Sequence, residues 1–223
     1  MTSKNIEKLL TLGSAKLMIN NEMIGAKNVP FRLLEQKEES NHLVIVLPGA
    51  GYTTQAPLLH FTTALFYNKG FDVLHINYTF SREELSDLNE SDFARDIKHT
   101  IDHAITDKKY SHYYIVAKSI GTKAVGYLLD HEMLEDAKIV WLTPLLQNDK
   151  VYNAMVNTVN QGLSIFGGED RHCFIVERFE KLKNNHNLIL KVVEGGNHRL
   201  ELDHDPLKSI EILKSVISSI NDF

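Results

Sequence analysis

Apolar residues along the chain fall into short, nearly continuous runs separated by longer amphipathic ones. His42 to Leu47, Asp72 to Asn77, Tyr113 to Val116, Lys138 to Leu142, and the runs around Leu163 and Leu188 each read as a β-strand. Between them, Pro57 to Asn68, Ser91 to Ile105 and Asp149 to Val159 have helical character. Strands such as Leu43-Val44-Ile45-Val46-Leu47 and Lys138-Ile139-Val140-Trp141-Leu142 offer no polar face. They are expected to be covered on both sides, as in a parallel sheet between helical layers. The predicted class is therefore α/β, with an open, mostly parallel sheet flanked by helices. Ahead of it, residues from about Lys16 to Gln36 hold the polar turn Asn20-Asn21-Glu22 between two β-like flanks, which predicts an antiparallel hairpin at the sheet edge. The stretch between the strands at Ile139 and Leu163 holds only about twenty residues, most of them helical in pattern, so no large lid is expected.

No repeat, low-complexity tract or Pro/Gly/Ser linker divides the 223 residues, and a single domain over 1–223 is expected. With 43% hydrophobic and 24% charged residues, the core is sufficient without disulfides or a structural metal. The lone Cys173 cannot form an internal bridge, and the first residues lack the apolar stretch of a secretory signal, so a cytoplasmic location is expected. No apolar run reaches the ~18 residues a membrane span requires. The formal charge is −5, with lysines and arginines scattered among acidic neighbours, which disfavours a nucleic-acid partner.

Three segments carry chemistry. In Tyr113-Tyr114-Ile115-Val116-Ala117-Lys118-Ser119-Ile120-Gly121-Thr122 a buried strand turns sharply into a helix with a serine at the apex. The small residues Ala117 and Gly121 let strand and helix approach, so that the hydroxyl of Ser119 points out of the fold. Leu163-Ser164-Ile165-Phe166-Gly167-Gly168-Glu169-Asp170 and Leu188-Ile189-Leu190-Lys191-Val192-Val193-Glu194-Gly195-Gly196-Asn197-His198 are apolar strands ending in Gly-Gly turns, each delivering an ionisable side chain. A serine hydroxyl is a weak nucleophile and needs a base, which in turn needs a third group to hold its tautomer. The order Ser119, Asp170, His198 is the nucleophile, acid, base order of one hydrolase superfamily and not that of the chymotrypsin-like or subtilisin-like proteases.

On these residues the sequence resembles the small, capless α/β-hydrolases of the dienelactone-hydrolase-like kind, from about His42 to the C-terminus. The resemblance implies an α/β-hydrolase fold, a serine hydrolase acting on a small ester or thioester, and no cofactor or metal. Glu169 competes with Asp170 as the acid, since such proteins accept either carboxylate; Asp170 is preferred because it closes the Gly-Gly-x-Asp turn. The loop Pro48-Gly49-Ala50-Gly51-Tyr52 follows the first core strand and is the expected oxyanion hole. Similar enzymes take one amide from the residue after the serine and one from the residue after a Pro-Gly pair, which implies Ile120 and Ala50, with Gly51 beside them. That loop lacks the Gly-x-x-x-x-Gly-Lys-Ser/Thr spacing of a phosphate cradle.

Tyr52, Tyr78 and Phe80 follow the C-terminal ends of strands and are candidate pocket walls. Two positions depart from the commonest family pattern: Ala117, where glycine is usual, and Lys118, a cation beside the nucleophile. Lys118 is expected either to project away from the pocket along the helix side or to attract an anionic substrate. His99 and His103 are four apart on one helix but lack His-Glu-x-x-His spacing, and a solvated or packing role is expected for them. Asp203-His204-Asp205-Pro206 reads as a turn capping the last helix. A hydrolase-like fold used as a binding or scaffold protein, or an acyltransferase or peptidase using the same three residues, is the alternative.

Overall fold

A computed structural model describes residues 16–20, 23–24, 27–129, 131 and 134–223. Eight strands form one sheet in the order β1 (Lys16–Asn20), β4 (Phe31–Glu35), β6 (Asp72–Ile76), β5 (His42–Leu47), β7 (His112–Lys118), β8 (Lys138–Leu142), β9 (Gly162–Gly167) and β10 (Leu188–Val193). From β6 to β10 every pairing is parallel, and β4 and β1 extend the sheet antiparallel at one edge. The edge pair is the antiparallel element expected from the sequence. Its two strands are joined by a longer excursion through a two-stranded ladder of β2 (Met23–Ile24) and β3 (Lys27–Asn28). Asn21 and Glu22 of the expected turn lie outside the described residues.

The central strands β5, β6 and β8 are buried almost throughout, because helices cover both faces. One apolar cluster joins Leu43, Ile45, Leu47, Ile97, Val125 and Trp141 under α3 (Glu90–Ala104), α4 (Gly121–Leu128), α5 (Asp149–Asn157) and α6 (Val176–Leu182). The other joins Val44, Val46, Val116, Leu59, Phe66 and Val216 under α1 (Pro57–Asn68) and α7 (Pro206–Asp222). Successive residues of β5 alternate between the two clusters, as the two-residue period of a strand requires. A short helix α2 (Arg82–Ser86) starts at a reciprocal capping box between Ser81 and Glu84. Asp205 caps α7 by accepting from the Lys208 amide, with Pro206 in the first turn. Between β8 and β9 the only helix among the described residues is α5, so nothing there forms a lid. No helix among the described residues is long and apolar enough to cross a membrane.

The chain runs from β5 to one side for β6 and then back past β5 to the other side for β7. That reversal opens a crevice at the C-terminal ends of β5 and β7, where open α/β sheets bind their ligands. The loop after β5 and the turn after β7 both start there.

Candidate active site

Ser119 sits at the turn between β7 and α4 with φ of 52°, in the left-handed region that few non-glycine residues occupy. Such a conformation costs on the order of 1–3 kcal/mol and persists only where its surroundings impose it. Here the Ser119 amide donates to the Leu142 carbonyl at 3.0 Å, and the Ser119 carbonyl accepts from the Thr122 amide and hydroxyl at 2.9 and 2.6 Å. Gly121 is required by close approach: a Cβ there would stand 2.6 Å from the Leu47 carbonyl oxygen. Ala117 pairs with Leu47 inside the sheet, and its methyl is accommodated in the core.

The two Gly-Gly turns after β9 and β10 are zipped together. Gly168 donates to the Val193 carbonyl and Glu169 to the Gly196 carbonyl, each at 2.9 Å. This places Asp170, 6% exposed, against His198. The Nδ1 of His198 lies 2.5 Å from Oδ2 of Asp170, and its Nε2 lies 2.7 Å from Oγ of Ser119. A carboxylate can only accept, so Nδ1 carries the proton and Nε2 is left to accept from the serine hydroxyl. The competing Glu169 points into solvent, 57% exposed, toward Arg171 at 3.4 Å.

The loop expected to form the oxyanion hole lies beside the serine. A Cβ on Gly49 would be 3.6 Å from that of Ser119. Gly49 and Tyr52 exchange backbone hydrogen bonds of 3.0 and 3.4 Å, closing a tight turn over Ala50 and Gly51. Among the described residues the amides of Ala50, Gly51 and Ile120 donate to no backbone partner outside helices and strands.

Of the four residues singled out around the pocket, Tyr78 and Lys118 are buried and Tyr52 and Phe80 half-buried. Tyr78 is buried in the core against Phe80 and Phe93, and its hydroxyl donates to the Pro48 carbonyl, so it braces the loop. Burial pushes its phenol well above the usual range. Phe80 packs edge-on against Phe93. Lys118 neither projects along the helix side nor reaches solvent: it is buried, with Nζ 2.7 Å from the carbonyl oxygen of His198 and 2.9 Å from Oγ1 of Thr143. Tyr52 is half-buried, with its hydroxyl accepting from the Leu58 amide at 3.1 Å, and it lines a small apolar cavity with Pro57, Leu58, Leu200, Ile210 and Leu213.

Asp170, Cys173 and His198 bring a carboxylate oxygen, a thiol sulfur and a ring nitrogen within 4.8 Å of one another, the one group of potential metal ligands among the described residues. The carboxylate and the ring nitrogen are already hydrogen-bonded to each other. Burial, and then the Asp170 charge, push the thiol up to about 11, so it is protonated at neutral pH. His103 packs edge-on against Phe31, 6.1 Å between ring centres, a packing role.

No protein-family model matches the sequence, and no curated protein matches it. Solved structures do. A dienelactone hydrolase from Anabaena variabilis superposes with a TM-score of 0.69 at 15% identity, covering 93% of this chain and 96% of its own. A lidless α/β serine hydrolase from Xanthomonas campestris gives 0.65 at 13% identity, covering 96% and 97%. Est1E from Butyrivibrio proteoclasticus gives 0.64 at 13%, covering 92% and 98%. The chain has the α/β-hydrolase fold, and among the described residues no lid stands between β8 and β9.

Proposed function

We propose that this protein is a serine hydrolase that cleaves a small ester or thioester through an acyl-enzyme. The observation that carries the reading is the unbroken relay from Ser119 through His198 to Asp170, at 2.7 and 2.5 Å, with the serine held at a left-handed apex beside the loop that carries the Ala50 and Gly51 amides. In this reading Oγ of Ser119 attacks the substrate carbonyl carbon as its proton passes to Nε2 of His198. Asp170 holds the imidazole in the accepting tautomer and stabilises the imidazolium that forms. The tetrahedral oxygen is received by the Ala50 and Ile120 amides, with Gly51 giving the loop its freedom. Donors of this kind are each worth about 2.7–4 kcal/mol at the transition state. The carbon–oxygen or carbon–sulfur bond then breaks, His198 returns the proton to the leaving alcohol or thiol, and water attacks the acyl-serine by the reverse path.

Support comes also from the Anabaena and Xanthomonas proteins, both named as hydrolases, which share the fold over nearly their whole lengths. The test is turnover of p-nitrophenyl esters and acyl thioesters of graded chain length by the purified protein, against a Ser119→Ala blank. Hydrolysis of short acyl groups above that blank is expected. Equal rates in the two proteins across the panel would overturn the reading in favour of a scaffold role.

A further inference from the structure

The ammonium of Lys118 lies beneath the turn that carries His198. Lys118 is 1% exposed, and an ammonium has three N–H groups to satisfy. One points to the His198 carbonyl at 2.7 Å, one to Oγ1 of Thr143 at 2.9 Å, and the cation lies 4.8 Å from the centre of the Tyr52 ring. These partners are themselves fixed. Tyr52 is held through its hydroxyl by Leu58, and Thr143 by its amide, which donates to the Ile165 carbonyl at 2.8 Å. Thr143 is β-branched yet has φ of 43°, a conformation costing about 1–3 kcal/mol that puts its hydroxyl within reach of the lysine.

Stability does not account for this lysine. Burying a charge costs several kcal/mol, and an apolar side chain of the same length is often neutral or stabilising in its place. Nor does substrate binding account for it, because the ammonium is enclosed and its donors are engaged by the protein. Burial pulls the amine down to about 8, against the charges of Asp170 and Glu201, so it remains mostly charged at neutral pH.

We infer that Lys118 is a positioning residue that anchors the backbone of the His198 turn, keeping the imidazole between Ser119 and Asp170 without touching substrate. This rests on the serine-hydrolase reading given above. Within the turn, Asn197 accepts from the Arg199 and Glu201 amides at 2.8 and 3.2 Å and donates to Asp203 at 2.6 Å, and the Glu169 amide donates to the Gly196 carbonyl at 2.9 Å from the Asp170 side. Those bonds tie the turn to itself and to the Asp170 side, whereas Lys118 joins it to the elbow, since the lysine directly precedes the serine. Base and nucleophile are thereby referred to the same two residues of β7 and the turn that follows.

The test is Lys118→Met, which keeps the stem and removes the charge. A displacement of the imidazole by about 1 Å costs on the order of 100-fold, so kcat and the rate of Ser119 labelling by a fluorophosphonate should fall about 10- to 100-fold. KM for neutral and carboxylate-bearing esters should stay within about twofold, as expected when ground-state binding is untouched. The melting temperature should be unchanged or higher. A readout free of turnover is the downfield proton of the His198–Asp170 hydrogen bond in the NMR spectrum, expected in the wild type and lost or broadened in Lys118→Met. Thr143→Val, which removes one acceptor and no charge, should show a smaller loss in the same direction and decides the matter if Lys118→Met does not fold. Full kcat with the downfield proton retained, or a defect confined to KM for carboxylate-bearing esters, would overturn the inference. If the wild type neither labels nor turns over any ester, the hydrolase reading fails, and the NMR comparison still decides the anchoring.

Discussion

Gly167 and Asn197 are in such close contact that a Cβ on the glycine would lie 2.3 Å from the carbonyl oxygen of the asparagine. This contact is where the turn bearing Asp170 meets the turn bearing His198, so the geometry of the candidate acid and base depends on a hydrogen atom where other residues carry carbon. Gly167→Ala must push the two turns apart. Overpacking of this kind costs about 1–3 kcal/mol, and a shift of about 1 Å in the base costs on the order of 100-fold in rate. Chemical denaturation and ester turnover should both register the loss. Gly51→Ala, where a Cβ meets nothing within 4 Å, should leave the denaturation midpoint unchanged.

Asp170→Asn preserves volume but gives the imidazole a partner that can donate as well as accept, which frees the wrong tautomer. Turnover should drop by about 10⁴, as when a triad loses its acid. Glu169→Gln should leave turnover untouched, since that side chain faces solvent. A reversed pattern in initial rates would assign the acid to Glu169.

Tyr78→Phe removes the hydroxyl that donates to the Pro48 carbonyl and leaves that carbonyl without its partner. A buried group so exposed to loss costs about 1–3 kcal/mol, and the loop carrying Ala50 loses its brace. Thermal unfolding should show the destabilisation and turnover a smaller decline, with substrate KM unchanged. Unaltered unfolding and turnover would remove Tyr78 from the site's support.

His75 is a buried histidine whose Nε2 lies 2.8 Å from the hydroxyl of Thr63, and burial, with Arg32 beside it, lowers its pKa to about 3. The unfolded chain takes up this proton near pH 6.5, while the folded one resists it until about 3. Between those values the unfolded state binds more protons, so stability falls as pH falls, with a slope of up to about 1.4 kcal/mol per pH unit from this residue. Urea denaturation between pH 7 and about 4 should show the slope, and His75→Gln should flatten it.

Much of this arrangement is legible in the residue pattern because it is local. β5, α1 and β8 have the boundaries that hydrophobic periodicity predicts, since each is a short run bounded by its own turn signals. Ser119, Asp170 and His198 stand out for the same reason: each sits in a strand-to-turn segment recognisable by itself. α2 is marked in the sequence only by the capping-box spacing of Ser81-Arg82-Glu83-Glu84, since a helix of five residues is too short for hydrophobic periodicity to show. Lys118, Tyr78 and Thr143 were not legible in this way. The destination of a side chain at the end of a strand depends on which distant segment lies alongside, and Lys118 meets residues 25 and 80 positions away. The strained backbone of Thr143 leaves no mark in composition or spacing.

The most direct measurement of the central claim is mass spectrometry of the protein after treatment with a fluorophosphonate, followed by peptide mapping. The account predicts one adduct, on Ser119, absent from Ser119→Ala, formed far more slowly in His198→Ala, and accompanied by a fall in turnover of about 10⁶ in the serine variant. Equal labelling of wild type and Ser119→Ala, or an adduct mapped to another residue, would contradict it.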